Sequence, residues 1–593
     1  MIHQSIVNCT SLKSYFFFVY LMSKLIANTA KLKKNILIQK FLLLLLLSVL
    51  IVQFSVNAES FKNGMVVSAH PLASAVGVEI LKQGGNAVDA AVAVEFALAV
   101  VYPNAGNIGG GGYMVYRNAS GAVSSLDFRE TAPSKASRDM YLDKNGNPVS
   151  DLSQYGSLAA GIPGSVAGMV EAHSKYGKLS WKKLLEPAIQ LASKGFQLTA
   201  NQASELNKHH DAFIKYNSGE TVFTRNEQWK EGDILKQPEL AKTLSLIRVK
   251  GRNGFYDGRT AKLIVAEINR GNGIVKLNDL KEYRAIWREP VVGNYKNFKI
   301  ITMPPSSSGG IALISLLKSV EPFPLSKWGF QQDSTIRLMV EAERRIYADR
   351  SVHMGDPDFS PNHQKELLND HYIKGRMSSV SFNKATPSSE VKPGILNGYE
   401  SEQTTHFSIV DKDGNAVSIT TTLNGTFGSH VVVGGAGFLL NNEMDDFSIK
   451  AGFPNAYGLV GGLLNAIKPN KRMLSSMTPT ILEKDGKLFL VVGSPGGSTI
   501  ITSVFQTILN IVEFGMPVQN AVDAPRFHHQ WLPDKVFVEG NAIQIKIREH
   551  LNSSGYQFEP KEKIGRVDAI QLTPDGLLQG GADSRGDDAV SAY

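Results

Sequence analysis

Two neighbouring stretches near residue 90 set the character of the chain. Pro71 to Gln83 carries apolar side chains at helical spacing and stops at Gly84-Gly85, a natural left-handed terminator. Asn86 to Val101 (NAVDAAVAVEFALAVV) is apolar on nearly every face, which predicts a helix enclosed in a layered core. After it, Gly106 to Gly112 runs into a predicted strand at Tyr113 to Arg117, a turn at Asn118 to Gly121, and a second strand through Leu126, Phe128 and Arg129. Ala159 to Gly195 returns to helical spacing, broken by Pro163-Gly164. Ser334 to Arg350 (STIRLMVEAERRIYADR) predicts an amphipathic helix whose many charges read as a solvated face. Between 351 and 403 breaker and polar residues accumulate without a period, which predicts an exposed, mobile stretch.

That stretch leads into the clearest alternation in the chain. Thr404 to Val410, Asp411-Lys-Asp-Gly-Asn415 and Ala416 to Thr422 predict a β-hairpin around an Asp-Gly turn. With residues 411 to 415 as the loop, Val410 faces Ala416 and Thr404 falls opposite Thr422, with facing Cβ atoms ~5 Å apart. A two-residue turn would shift the pairing by one position. Asp411 to Asn415 resembles a calcium loop only superficially, because its glycine comes too early. Further on, Leu488 to Val492 predicts a strand and Ile500 to Val512 a helix, joined by a glycine-rich turn. The mixture is α/β, without long linkers or a fixed repeat.

Composition changes this picture in one place. The 593 residues are 43% hydrophobic and 20% charged with one cysteine, which excludes collagen-like, disordered and disulfide-stapled classes. The net charge of +8 points at nucleic acid until its location is traced. Residues 1–58 hold six of the 62 Lys and Arg, none of the 54 acids, and Cys9. There, Lys31, Lys33, Lys34 and Lys40 precede the apolar run Phe41 to Val52, and Val56-Asn57-Ala58 has the small-residue pattern of a cleavage site. The expectation is a presequence over 1–58, a mature chain from Glu59, and a periplasmic or secreted location. An uncleaved anchor is the alternative, although the run is shorter than the ~20 residues of a spanning helix. The chain beyond residue 58 carries 56 basic against 54 acidic side chains, so the case for nucleic acid goes with the presequence. It also has no cysteine, which excludes thiolate chemistry.

Two motifs lose their obvious chemistry on inspection. A phosphate cradle comes after a strand and opens a helix, whereas the run at Gly106 comes after a helix and opens a strand, so close backbone packing explains it better. His209-His210 and His528-His529 lack a third ligand at metal spacing, so neither a metal nor another cofactor is expected. Thr404 remains. A threonine hydroxyl needs a base, and cleavage before Thr404 would supply one in its own α-amine, whose pKa of ~7.7–8.0 lies near operating pH. On the residues alone, a threonine-rich strand is more often structural.

The sequence around it alters that weighting. Gln403-Thr404-Thr405-His406-Phe407-Ser408 resembles the autoprocessing junction of the γ-glutamyltranspeptidases, members of the N-terminal nucleophile hydrolases. Gly84 to Ala91, Gly106 to Gly112, Leu126-Asp-Phe-Arg-Glu130, Pro304 to Gly310, Asn441 to Phe447, Leu474-Ser-Ser-Met477, Gly493 to Ser498 and Ala524 to His529 also resemble blocks of that family, in family order. The resemblance implies a four-layer αββα sandwich and an enzyme that cuts itself between Gln403 and Thr404. The resulting fragments, 59–403 and 404–593, would share one core and stay associated as a heterodimer. The implied reaction transfers the γ-glutamyl group of glutathione or a related amide to the Thr404 hydroxyl, then to water, an amino acid or a peptide.

The resemblance also implies roles. Arg129 matches the carboxylate anchor of the substrate and Ser475 and Ser476 the hydroxyls beside it. Asn424, Glu443 and Asp446 match the ammonium acceptors, with Asp445 pointing elsewhere. Gly496 and Gly497 match the oxyanion donors, and Thr422 a hydroxyl that assists the nucleophile. Residues 451–462 resemble a lid loop, with Tyr457 as its latch on Asn424. Glu443 stands where relatives carry Gln or Glu, which adds a negative charge over the Gln type. Two rival expectations are a related cephalosporin or glutaryl acylase, which lacks the ammonium pocket, and a periplasmic solute-binding protein, which would remain one chain.

Overall fold

The computed structural model describes residues 59–392, 404–450, 463–540 and 542–593. Gln403, Tyr457 with the whole of its loop at 451–462, and the presequence lie outside them. From Ser60 onward the chain is one compact unit.

Short strands at Ser60–Phe61 (β1) and Met65–Ser68 (β2) lead into helices Pro71–Lys82 (α1) and Ala87–Val101 (α2). The helices form where the apolar spacing placed them. Gly84 takes the left-handed conformation at φ +88°, and Asn86 caps α2 in a reciprocal pair with Asp89. Every residue of α2 is buried, as its all-round apolarity predicts. Next come strands Gly111–Arg117 (β3), Val123–Asp127 (β4), Ile286–Arg288 (β5), Val291–Tyr295 (β6) and Phe298–Thr302 (β7), with helices Gly309–Val320 (α3) and Asp333–His353 (α4) behind them. Thr405–Val410 (β8) and Ala416–Thr422 (β9) are the hairpin; Thr480–Lys484 (β10), Lys487–Gly493 (β11), helix Thr499–Val512 (α5), Asp568–Leu572 (β12), Leu578–Gly581 (β13) and Ala589–Ala592 (β14) complete the framework.

The strands assemble into two seven-stranded antiparallel sheets, β1-β13-β12-β11-β10-β7-β6 and β14-β2-β8-β9-β3-β4-β5. Their side chains sort by the period of two that strands impose. Phe407 and Ile409 on β8 join the core shared with α1 and α2, while Val410 joins a second core between the sheets, with Val67, Val115, Val491 and Ile570. Leu490 and Val492 on β11 face a third core, against α3, α4 and α5. Three cores separate four layers, the αββα order the resemblance implied.

The hairpin register is the one the five-residue loop predicts: Val410 pairs with Ala416 and Thr405 with Thr421. Asp411 holds the loop, accepting from the backbone N–H of Asp413 and Asn415, and its other oxygen takes the N–H of Ala87 at the start of α2. With the Asn415 side-chain amide also donating to the second oxygen at 2.8 Å, both oxygens are spent on protein donors. The glycine run is close packing: a Cβ on Gly110 would lie 1.9 Å from the Thr422 carbonyl oxygen, and one on Gly112 2.4 Å from that of Thr420.

Three expectations need correction. The charges of α4 are not solvated. Arg337, Glu341, Glu343, Arg344, Arg345, Asp349 and Arg350 are all buried, held by pairs within the helix together with partners from distant segments that helical periodicity cannot reveal. Arg345 pairs with Glu341 at 2.5 Å, Arg344 with Asp534, and the Glu343 carboxylate accepts the N–H of His529 at 2.8 Å. The stretch after residue 351 is not uniformly exposed either. A short helix at Asp370–Met377 is tied to α4 by Arg376–Asp349 at 2.9 Å, and Asp356 and Ser388 are buried. Finally, β4 ends at Asp127, short of the predicted Arg129, because the backbone there turns Arg129 into a buried charge cluster.

Candidate active site

Thr404 stands one position before β8, buried at 6% exposure, at the end of the inter-sheet layer. Continuing the register by one step puts it opposite Thr422, the last residue of β9. Thr422 in turn is held from two sides. Its carbonyl accepts from Asn107 Nδ2 at 2.9 Å, and its hydroxyl accepts the N–H of Asn424 at 2.7 Å. Asn424 has φ +72°, a left-handed conformation that Asn tolerates better than most side chains, and its amide donates to the Asn442 carbonyl at 2.9 Å.

From Asn442 the chain enters the turn Glu443–Asp446, where the charges gather. The Arg129 guanidinium lies 2.6 Å from Glu443 Oε2, donates to Asp446, and is 3.7 Å from Glu130 Oε2. It also approaches the carbonyls of Met473 and Leu474, both at 3.4 Å, directly before Ser475. Arg129, Glu130 and Glu443 are at most 1% exposed. Burial works against the Arg129 charge, but Glu443 and Asp446 outweigh it and hold its pKa well above the ordinary value. One guanidinium cannot neutralise three carboxylates. Burial accordingly raises the pKa of Glu443, with Glu130 and Asp446 adding repulsion and Arg129 opposing, and it pushes Glu130 up to about 8. Asp445 points the other way, accepting from Ser153 Oγ at 2.5 Å.

Ser475 and Ser476 are positioned from the opposite sheet. The Ser475 carbonyl accepts from the hydroxyls of Ser307 at 3.0 Å and Ser308 at 2.7 Å, and Ser476 Oγ accepts from Arg350 Nη2 at 3.2 Å. Gly496 and Gly497 turn β11 into α5 with φ +128° and +57°. A Cβ on Gly496 would come within 2.6 Å of Thr499 Oγ1 and 2.9 Å of Gly565 Cα, so only glycine fits the approach of the two loops. Gly496 and Thr404 share the wall of one cavity of about 390 Å³, which does not include the Arg129 cluster.

His406 lies two residues beyond the nucleophile candidate yet is unsuited to be its base. Its ring is sealed between the sheets against Gly493, bonded to Thr420 Oγ1 at 2.9 Å and Ser408 Oγ at 3.1 Å, and burial lowers its pKa to about 3. The histidine pairs weighed for metal are otherwise engaged: His209 bonds His430 at 2.8 Å, His528 bonds Thr502 at 2.9 Å, and His529 lies 3.3 Å from Asp534. Among the described residues, no three His, Cys, Asp or Glu are grouped to hold a metal ion. The residues that sequence reasoning missed are supports. Glu130 adjoins the anchor at the end of the Leu126-Asp-Phe-Arg-Glu130 block, and Glu95 on α2 accepts the Thr421 hydroxyl at 3.0 Å with its pKa pushed by burial up to about 8. An acid deep inside the apolar NAVDAAVAVEFALAVV run, beyond the capping Asp89, was the available signal for Glu95.

Two facing antiparallel sheets between helix layers, with a threonine heading a central strand, define the class: an N-terminal nucleophile hydrolase fold. Its solved likenesses include a cephalosporin acylase from Bacillus halodurans, with TM-score 0.81 at 27% identity over 91% of this chain and 97% of that one. Another is a γ-glutamyltranspeptidase from Helicobacter pylori, with TM-score 0.56 at 46% identity over 57% of this chain and 97% of that one. The γ-glutamyltranspeptidase family model matches residues 73–593, and the chain belongs to that family. It is 48% identical over 535 residues to a glutathione hydrolase proenzyme of Escherichia coli (strain K12), covering 90% of this chain and 92% of that protein. A glutathione hydrolase proenzyme of Pseudomonas sp. (strain A14) is 46% identical, over 87% and 91%.

Proposed function

We propose that this chain is an exported precursor that cleaves itself between Gln403 and Thr404 and then cleaves γ-glutamyl amide bonds, those of glutathione among them. The observation that carries the reading is the continuous path from Thr404 across to Thr422, through Asn424, to the Arg129–Glu443–Asp446 cluster. The identity of nearly half with glutathione hydrolase proenzymes over nine-tenths of the chain supports it.

In the first reaction the Thr404 hydroxyl attacks the Gln403 carbonyl, the Gln403–Thr404 amide becomes an ester, and water hydrolyses it. The products are a Gln403 carboxylate and a free Thr404 amine. That amine then takes the hydroxyl proton as Thr404 attacks the γ-carbonyl of a donor. Backbone N–H groups at Gly496 and Gly497 receive the oxyanion, and the departing amine leaves with the proton. The ester on Thr404 passes its glutamyl group to water, an amino acid or a peptide.

The charge cluster accounts for the glutamyl end. A substrate bearing one α-carboxylate and one α-ammonium inserts into ion pairs that already exist: the carboxylate takes the Arg129 fork beside Ser475 and Ser476, and the ammonium takes the released carboxylates of Glu443 and Asp446 and the Asn424 amide. One negative and one positive charge enter together, so the net charge of the cluster does not change. A glutaryl substrate, the acylase alternative, brings only the negative partner and leaves buried carboxylates unpaired. A solute-binding protein is set aside by the family match. The test is a denaturing gel with an N-terminal read of the smaller fragment, then hydrolysis of a γ-glutamyl and a glutaryl anilide. Two fragments, a read of Thr404-Thr405-His406 and preference for the γ-glutamyl anilide are expected; one intact, inactive chain sinks the reading.

A further inference from the structure

Helix α4 carries a series of buried charges, and one of them reaches the glutamyl end of the site. Arg350, near the C-terminal end of the helix, is 1% exposed. Its Nε donates to Ser308 Oγ at 2.9 Å and its Nη2 to Ser476 Oγ at 3.2 Å. One guanidinium therefore grips two serines. Ser308 stands at the start of α3, and Ser476 is one of the pair assigned to the substrate's α-carboxylate.

The direction of each hydrogen bond follows from what the groups can do. A guanidinium has N–H donors and no acceptor, so both hydroxyl oxygens accept from it. Each hydroxyl keeps its single proton for a second partner. Ser308 gives its proton to the Ser475 carbonyl at 2.7 Å, which ties the Ser475 backbone to α4 through one relay. Ser476 has its proton to donate away from Arg350. Ser475 Oγ is engaged in the same sense: it accepts the N–H of Met477 at 3.2 Å, and its own proton goes elsewhere.

Two adjacent hydroxyls whose oxygens already accept are suited to a ligand that only accepts, and a carboxylate is such a ligand. The pair also adjoins the other carboxylate partner: the Arg129 guanidinium approaches the Leu474 carbonyl at 3.4 Å, one residue before Ser475. Ser475 and Ser476 are each 2% exposed, so solvent has little part in turning their hydroxyls. A neighbour able to accept, such as an amide, would let the Ser476 proton turn back toward α4. A cation does not.

Resting on the reading that Ser475 and Ser476 meet the α-carboxylate of a γ-glutamyl substrate, we propose that Arg350 is the positioning residue of that pair. It locks the Ser476 hydroxyl as a donor and, through Ser308, fixes the Ser475 backbone, so that the serines present O–H groups to the carboxylate. Arg350 acts only through these serines, and its effect is confined to ligands that carry the α-carboxylate.

The experiment measures competitive inhibition of γ-glutamyl anilide hydrolysis by L-glutamate and by 4-aminobutanoate, which keeps the amine and lacks the α-carboxylate. The enzymes are the wild type, Arg350→Gln, Arg350→Lys, Ser308→Ala, Ser476→Ala and the double variant Arg350→Gln/Ser476→Ala. One hydrogen bond to a charged group corresponds to about tenfold. Arg350→Gln is expected to raise the KI of L-glutamate about tenfold and that of 4-aminobutanoate by less than about twofold, with kcat little changed. In the Ser476→Ala background the same substitution adds less than about threefold, because the hydroxyl it orients is gone. Arg350→Lys, which also only donates, stays nearer the wild type than Arg350→Gln. An unchanged glutamate KI, equal losses for both inhibitors, full additivity of the two substitutions, or a lysine variant worse than the glutamine one overturns the proposal. Where Arg350→Gln yields no cleaved enzyme, Ser308→Ala decides: a rise of about threefold for L-glutamate alone supports the proposal, and no rise overturns it. Absence of anilide turnover by the wild type overturns instead the functional reading beneath it.

Discussion

The two sides of Thr404 hold comparable numbers of charges in opposite states. On the Arg129 side the charges are buried and crowd around one another within the site: a single guanidinium among Glu130, Glu443 and Asp446. On the other side an open cavity is lined by Lys208, Lys561, Lys563, Arg566 and Arg585 against Glu205 and Asp587, and its arginines also lie within 3.0 Å of carboxylates outside the lining, Arg566 of Asp588 and Arg585 of Glu539 and Asp583. Under the proposed function, a closed set of existing ion pairs admits a ligand that replaces both members of a pair, and so favours a zwitterion. An open cationic wall attracts any anion of suitable reach, and so selects weakly and tunably. Under the proposed function, strict recognition of the donor's glutamyl end and loose recognition of its partner would be the division of labour a transferase with varied acceptors needs.

The largest effect comes from the residue both sides share. Thr404→Ala is expected to remain a single uncleaved chain with turnover of a γ-glutamyl anilide reduced by at least about 10³-fold, while its melting temperature stays within a few degrees of the wild type. Fragments in the variant would show that another residue cuts. Next is Arg129→Ala, which strands buried carboxylates at about 3–5 kcal/mol. A melting temperature lower by several degrees is expected, with kcat/KM on the anilide reduced by at least about a hundredfold and cleavage at Thr404 retained. Arg129→Lys should recover stability and little activity, since an ammonium cannot reproduce the fork. Recovery of both would mean that charge alone suffices there.

How much of this contrast the sequence revealed depends on where each partner lies in the chain. The hairpin was legible down to its register because alternation, the Asp-Gly turn and loop length are all local. The enclosure of α2 was legible because no polar face interrupts it. The helix Asp333–His353 misled because its charges find distant partners: Arg344 reaches Asp534, and Arg350 reaches Ser476. Periodicity reports that a residue is charged, not what it meets. The Arg129 side could be named because its residues sit in recognisable blocks, although that their charges pair with one another is a fact of the fold. The cavity side carried no motif. Its wall is assembled where Gly565 packs against Gly496, 69 positions earlier in the chain.

Salt separates the two sides with a smaller effect. Raising ionic strength from 0.1 M to 1 M shortens the Debye length from about 10 Å to about 3 Å. The KM for glycylglycine as acceptor is expected to rise several-fold, because the cavity is open to ions, while the KM for the γ-glutamyl anilide changes by less than about twofold, because the Arg129 cluster is buried. Equal responses would erase the distinction between a closed and an open site.

The smallest effect concerns the extra carboxyl, Glu443, and its sign decides what state that group is in. Glu443 is 2.6 Å from Arg129, which favours its charge, yet it is fully enclosed beside Glu130 and Asp446, and burial raises its pKa. A carboxyl whose folded pKa lies above its unfolded value gives stability that is complete below the unfolded value, near 4.5, and is lost as pH rises through the folded one. Glutamine copies the protonated form and does not titrate. In the uncleaved Thr404→Ala background, Glu443→Gln should therefore match its parent near pH 4.5 and become the more stable of the two as pH rises toward 9, by on the order of a degree or two in melting temperature. Were Arg129 to hold Glu443 ionised instead, the variant would match its parent only in acid and fall below it as pH rises. A crossover in that direction would mean that the cluster carries an uncompensated negative charge at neutral pH, and the closed side of the site would then attract cations rather than exchange zwitterions.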